Sequence, residues 1–432
     1  MNVDLSKAKA GSTRLLMVTP YPPTIDGIGA HAASLLEALP PEIERRVLTK
    51  VSPDGPSVRE EGSIRVCRAS ALSPNGLRRC LREAKEFTPD IVHVQFAGSL
   101  LSGAFVVAMA AGVASKYRRG SSLVVTDHEV SRDIERFGIL GRALHRGVDA
   151  LADTVVVYSK ESERALVEKC GIPSARIELM PHGVTTRTGN YLEEDLEQPF
   201  VLLCGFIHPD KGIEFLLGAL SGLRDAGVAL PRVLIAGSVR ARNGIFAVFG
   251  RQDRRYELRL HELVDKLALS EVVTFVGYVP DEQLKGMLGT ATVVVLPYLR
   301  SNQSGILNLA VGAGAAILAS DLPGLRDALG DGARWAPPGD SGALAVQLGD
   351  LLKSPGKRLD LRRKARQAGK EQSMEIVGHT LAGIYQQLIA KRRLRDRERV
   401  QNSREVDFAE RGWARRVRAA TMRLLHLLRK AE

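Results

Sequence analysis

The chain has 432 residues, 44% of them hydrophobic and 25% charged, with a formal net charge of +12 and a pI near 9.7. These values exclude a disordered or fibrous polymer, fit two or three domains that each bury a core, and point to an anionic partner. Aromatic content of 5% without basic/aromatic interleaving argues against a single-strand nucleic-acid binder, and Cys67, Cys80, Cys170 and Cys204 lack metal-ligand spacing, as in a reduced cytosolic chain.

The first residues, MNVDLSKAKAGSTR, lack the apolar run of a signal peptide. Arg14 to Thr19 reads as a buried parallel strand, followed by PYPPTIDGIGAH and a helix with Ala33, Leu35, Leu36 and Leu39 on its apolar side. The Gly27/Gly29 pair lets a phosphate or sugar approach the backbone where a Cβ would obstruct it, although the GxGxxG dinucleotide pattern is absent. His31 falls on the first helical turn. Strands at Arg45 to Val51, Ile64 to Arg68, Ile91 to Phe96, Ser122 to Thr126, Thr154 to Tyr158 and Arg176 to Met180 alternate with helical intervals, which predicts a parallel α/β domain over 1–190. The uncharged run Ala97 to Ser115 lies between two of these strands and reads as a buried crossover helix, not a membrane span. Ligands bind at the carboxyl ends of such strands, where Gln95, Asp127-His128-Glu129 and Ser159-Lys160 stand. His128 is there either a hydrogen-bonded structural residue or a site residue.

Tyr191 to Gln198 is polar and acidic, a linker to a second α/β domain over 199–372. Its strands are Phe200 to Cys204, Arg232 to Ala236, Val272 to Val276, Val293 to Leu296 and Ala315 to Ala319. Lys211, before Gly212 at a helix start, either reaches a phosphate as a compact point charge or is a surface lysine. Val293 to Ala319 is a strand, polar turn, helix and strand; the N–H groups of Ser304, Gly305 and Ile306 suit a diphosphate, or the helix is simply capped. A helix at 373–390 is expected to cross back to the first domain. The tail 391–432 holds 14 Lys/Arg against 6 Asp/Glu, most of the net charge, and within it Trp413 to Lys430 is a basic amphipathic segment fit for an anionic membrane surface or for docking to a partner.

The motifs GIGAH (Gly27 to His31), IVHVQF, VVTDHE, VVVYS through PHGV (Thr154 to Val184), GFIHPDKG, VTFVGYVPDEQL, QSGILNLAVGAGAAILASDLPG and APPGDSGALA, in that order, resemble the GT-B glycosyltransferases of the large retaining family 4, over Arg14 to Leu388. The resemblance implies two Rossmann-like parallel-sheet domains facing a central cleft, with a UDP- or GDP-sugar donor in the second and a glycan or lipid-linked acceptor in the first. Lys211 matches the diphosphate-binding lysine, Ser304 to Ile306 the phosphate-facing helix start, Gly29 a glycine near the donor phosphates, and His128 a histidine near the reacting sugar. We place His31, Gln95, His208 and Gln303 along the donor-sugar and acceptor cleft. No metal and no cofactor is expected, since a lysine and helix-start N–H groups stabilise a departing diphosphate. The chain departs from the family where two carboxylates usually stand, at Ser301 (or Arg300) and Leu309, and where an arginine stands, at Phe206. The expected function is sugar transfer by a cytoplasmic enzyme, with possible attachment to the inner membrane face; the alternative is a catalytically weakened scaffold that binds a nucleotide sugar or another transferase. A nucleic-acid partner is not expected, because the charge lies in the tail and not in a groove of the body.

Overall fold

The computed structural model describes residues 13–24, 27–51, 55–69, 74–98, 120–185, 199–239, 247–300 and 304–406. The expectations for the first residues up to 12, for the crossover helix beyond residue 98, for the linker Tyr191 to Gln198, for Ser301 to Gln303 and for Trp413 to Lys430 lie outside the described residues.

The first sheet is built from β1 (Thr13–Val18), β2 (Ile43–Thr49), β3 (Ser57–Glu61), β4 (Ile64–Arg68), β5 (Ile91–Phe96), β6 (Ser122–Asp127), β7 (Thr154–Val157) and β8 (Ile177–Leu179), in the order β3-β4-β2-β1-β5-β6-β7-β8. All pairs are parallel except β3 with β4. Around it lie α1 (Gly27–Ala38), α2 (Pro74–Phe87), α3 (Val130–Phe137), α4 (Ile139–Leu151) and α5 (Lys160–Ala165). Every residue of β5 and β6 is buried, as a parallel sheet covered on both faces requires, and this is why apolar runs marked these strands in the sequence.

The second sheet contains β9 (Phe200–Cys204), β10 (Arg232–Ala236), β11 (Val273–Gly277), β12 (Val293–Leu296), β13 (Ile317–Ser320) and β14 (Arg334–Ala336), in the order β11-β10-β9-β12-β13-β14, all parallel. Its helices are α6 (Ile213–Asp225), α7 (Ala247–Lys266), α8 (Asp281–Thr290), α9 (Gly305–Gly312), α10 (Pro323–Leu329), α11 (Ser341–Lys353) and α12 (Pro355–Glu371). Two apolar clusters cover its faces, one around Leu216, Leu220 and Leu348, the other around Leu296, Tyr298 and Leu307.

The expected pair of parallel-sheet domains is therefore present, with corrections at particular strands. β2 runs Ile43–Thr49 and not Arg45 to Val51, β13 runs Ile317–Ser320 and not Ala315 to Ala319, and β3 and β14 were not anticipated. β3 is a polar edge strand (SVREE) whose outer side needs no apolar pattern, and β14 is only three residues long. In each sheet the strand order reverses beside a central strand: between β1 and β5 in the first, between β9 and β12 in the second. The crevice at the carboxyl ends of those strands is where an open α/β sheet takes its ligand.

The chain divides into a compact unit of Met1–Leu381, which holds both sheets, and a second unit of Ala382–Glu432. Helix α13 (Met374–Val406) extends well past the expected end at residue 390, so the basic residues from Lys391 to Arg404 continue the same helix. At its start Ser373 bridges Val184, and a Cβ on Gly378 would lie 2.4 Å from the Ala38 carbonyl oxygen, so α13 passes close to the end of α1. Among the described residues no helix is long and apolar enough to cross a membrane.

Candidate functional site

At the switch point of the second sheet, β9 leads through Gly205 to the short turn Pro209–Lys211. Gly212 then caps α6 at φ +60°, and a Cβ there would lie 2.0 Å from the Pro297 carbonyl oxygen. Only glycine lets the Lys211 turn close against the end of β12. Lys211 Nζ sits 3.7 Å from the centroid of the Tyr298 ring, a cation–π contact, and Tyr298 is fully buried. The Tyr298 hydroxyl is 3.3 Å from Ser304 Oγ, which accepts the Leu307 N–H at 3.1 Å and so caps α9. Ser304 thus precedes the helix, with its hydroxyl committed to the cap, while the N–H groups of Gly305 and Ile306 lie in the first turn, where helix geometry provides no acceptor. One tyrosine ring separates the lysine from the positive end of that helix. His208 Nδ1 accepts the Asp210 N–H at 3.2 Å, and its Nε2 lies 3.6 Å from Asp253 Oδ1, contacts that hold the turn. Gln303 lies outside the described residues.

In the first sheet the chain brings four histidines together. His31 is on the first turn of α1, His93 within β5, His128 just after β6, and His182 in the segment after β8. The rings of His31 and His182 are 4.0 Å apart, and His128 lies 5.9 Å from His31 and 5.3 Å from Tyr158. His31 Nε2 is 2.9 Å from the Tyr158 hydroxyl, and His128 Nε2 is 2.7 Å from Gln95 Oε1. His182 Nδ1 is 2.8 Å from Asn308 Nδ2 on α9, which ties the histidine cluster directly to the helix of the second sheet. Burial, with neighbouring imidazoles adding to it, holds His31 and His128 well below 6.5; burial alone lowers His93 to about 3, and burial lowers His182 to about 4 against a backbone hydrogen bond at Gly183. At neutral pH the cluster is uncharged, and each ring offers one donor and one acceptor.

Gln95, expected along the cleft, and Gly29, expected near the donor phosphates, are both closely packed. Gln95 is fully buried behind His128, with its amide turned onto His128 and His93, so it does not line the cleft. Gly29 packs against the backbone of Pro20 and Tyr21, where a Cβ would come within 3.1 Å, so its lack of a side chain serves close packing of α1 on the loop after β1.

Beneath His128, Asp127 and His145 are fully buried: His145 Nδ1 is 2.6 Å from Asp127 Oδ2, and its Nε2 is 3.4 Å from Asp133 Oδ2. Burial opposes a charge on His145, but the bonds to Asp127 and Asp133 and the charges of Asp127 and Asp149 outweigh it and raise the group to about 10. Burial first, and Asp127 second, push Asp149 well above the usual carboxylate value. Asp127, His145 and Asp149 each offer a ligand atom within 4.8 Å of the others. Both imidazole nitrogens nevertheless face carboxylates already, which is the geometry of an imidazolium clamped between two anions.

Sequence reading missed Tyr298, Tyr158, His182 and Asn308. Tyr158 and His182 stand inside quoted motifs at strand ends, a signal that could have found them; Asn308 and Tyr298 are marked only by the packing of the two sheets' loops.

Two family models match the chain in succession: Glycosyltransferase Family 4 over residues 25–188 and Glycosyl transferases group 1 over residues 188–371. The D-inositol 3-phosphate glycosyltransferase of Nocardia farcinica (strain IFM 10152) is 32% identical over 242 residues, 51% of this chain and 50% of the relative. The MMP alpha-(1->4)-mannosyltransferase of Mycolicibacterium hassiacum is 25% identical over 242 residues, 55% of this chain and 54% of the relative. The matched stretch thus spans about half the length of these relatives. Among solved structures, sucrose-phosphate synthase from Thermosynechococcus elongatus superposes with TM-score 0.70 at 19% identity, covering 88% of this chain and 100% of that one. Anabaena Alr3699/HepE in complex with UDP gives 0.65 at 16% identity, covering 87% and 100%. At such identities the likeness is one of fold.

Proposed function

We propose, for a chain that belongs to the group 1 glycosyltransferases of family 4 and has their GT-B fold, that it moves a sugar from a nucleotide-sugar donor to a glycan or lipid-linked acceptor, with retention at the anomeric carbon and without a metal. The observation that carries the reading is the juxtaposition, through Asn308 and His182, of an anion-binding corner with an uncharged histidine cluster. As the bond between the anomeric carbon and the donor phosphate breaks, its electron pair leaves on the diphosphate. Lys211 and the N–H groups of Gly305 and Ile306 supply positive potential where that charge grows, worth several kcal/mol in a site that excludes water. The acceptor oxygen bonds to the anomeric carbon, and its proton passes to the departing phosphate oxygen or to water. His128 and His31, neutral, hydrogen-bond hydroxyls of the sugar without competing with Lys211 for the diphosphate.

A second reading, a nucleotide-sugar-binding scaffold or partner of another transferase, is favoured by one observation: neither Ser301 (or Arg300) nor Leu309 is a carboxylate where most members have one. Incubation with a panel of UDP- and GDP-sugars, with and without chelator, decides between them. Nucleotide release with one donor, unaffected by chelator and giving a product of unchanged anomeric configuration, supports the transferase. Thermal stabilisation by a nucleoside diphosphate, about 2.7 kcal/mol at 100 times its dissociation constant, with no release from any donor, supports the scaffold. The relatives' names supply a candidate acceptor, an inositol 3-phosphate, and a candidate transferred sugar, mannose, for the same assay.

A further inference from the structure

The nitrogen that His128 offers to substrate is set by a chain of hydrogen bonds behind it. His128 Nε2 lies 2.7 Å from Gln95 Oε1; Gln95 Nε2 lies 3.4 Å from His93 Nε2; His93 Nε2 lies 2.7 Å from Thr126 Oγ1. Thr126 in turn hydrogen-bonds Tyr158, whose hydroxyl is 2.9 Å from His31 Nε2. Gln95, His93 and Thr126 are fully buried, and His93 and Gln95 share one face of β5 because strand side chains repeat every second residue.

We propose that Gln95 is a positioning residue that fixes the tautomer of His128. An amide has one acceptor end and one donor end, so its orientation sets the direction of the whole chain. With Oε1 towards His128, His128 donates from Nε2–H and the Gln95 NH2 points to the lone pair of His93 Nε2. Thr126 Oγ1 is the nearer partner of that same nitrogen, at 2.7 Å, and the Gln95 amide the more distant one, at 3.4 Å. His128 then carries its proton on Nε2, which leaves its Nδ1 as the lone-pair nitrogen able to accept from a sugar hydroxyl. The opposite direction leaves Nδ1 protonated and turns His128 into a donor. Elsewhere, holding the wrong imidazole tautomer costs on the order of 10⁴ in turnover.

The test uses the full chain labelled with ¹⁵N and histidine-selective NMR near neutral pH, with the His128 signals identified by their loss in His128→Gln. The expected wild-type spectrum has a protonated Nε2 and an unprotonated Nδ1. In Gln95→Met the acceptor is gone, so the bias is lost and Nδ1-protonated signal appears, while kcat falls ~10- to 100-fold and the nucleotide-sugar KM changes little. Gln95→Glu keeps shape and acceptor but places a carboxylate beside the ring, so the acid limb of kcat moves up by about one pH unit or more. A wild-type His128 protonated on Nδ1, or a Gln95→Met tautomer identical to wild type, overturns the proposal. So does an equal loss of turnover in both variants with no movement of the acid limb, the mark of a residue that only packs. The turnover arm rests on the transferase reading and the NMR arm does not, so failure of one is distinguishable from failure of the other.

Discussion

Replacing Lys211 by methionine separates the residue's contribution to the fold from its contribution to the reaction. In the folded chain the ammonium lies 3.7 Å from the Tyr298 centroid, a contact worth ~0.5–2 kcal/mol. Methionine keeps an apolar stem on the same ring, and a sulfur–aromatic contact of ~0.3–1.5 kcal/mol replaces most of what is lost. The expected loss of stability is therefore about 1 kcal/mol or less, a Tm change of ~2–4 °C for a domain of this size. The diphosphate has no such substitute. Losing one preorganised positive donor at a developing anion costs ~2.7–4 kcal/mol, or 10²–10³ in kcat. The assay is initial rate of nucleotide release on the donor found by the panel, together with calorimetric affinity for the nucleoside diphosphate and a thermal melt. Turnover within a factor of about 3 of wild type, which is ~0.65 kcal/mol, would refute the reasoning and leave Lys211 as a packing residue. A large fall in Tm accompanying the loss of turnover would refute it too, because the lysine would then be holding the loop together.

Acid should destabilise the folded chain from pH 6.5 downwards: the unfolded chain binds protons at ordinary imidazoles, while the folded cluster refuses them until about pH 4 at His182 and about pH 3 at His93. Burial, which raises Asp149 in the folded state, works in the opposite direction and offsets part of this, and each net proton contributes ~1.4 kcal/mol per pH unit; urea-unfolding stabilities that stay flat between pH 6.5 and 5 would sink this account. Gly212→Ala should cost ~1–2 kcal/mol for the left-handed backbone, with more from the close approach to Pro297, and should lower kcat by displacing Lys211, whereas Gly222→Ala, in open space on α6, should be neutral or stabilising; thermal melts and rates of the two variants check this. The tail is proposed to hold the enzyme at an anionic membrane surface, so the full chain should sediment with anionic liposomes and be released by about 0.5 M salt, where the Debye length is roughly 4 Å, while a chain ending at Ala390 should stay in solution. Equal sedimentation of both forms would assign the tail to a partner.

The sequence by itself determined the class of fold and the positions of most strands, because a strand buried on both faces is mostly apolar: β9 and β12 are unbroken apolar runs, and β5 and β10 are apolar except for His93, Gln95 and Arg232. It also placed His128 just after a strand, and Lys211 and His31 near helix starts, where glycine and proline mark the turns. β3, polar and at an edge, escaped because nothing forces an apolar pattern on a strand with one open side. What the tertiary structure alone decided is which of these residues meet. His31, Tyr158 and His182 touch across more than a hundred residues of chain, and Asn308 reaches His182 across 126, because strand order and the approach of the two sheets set those distances. Local spacing fixes the face of a helix or strand that a side chain occupies, but not what packs against it. Gln95 could be assigned to the same face as His93, yet only the placement of β6 beside β5 puts His128 over its amide and turns a supposed cleft residue into the buried support of another.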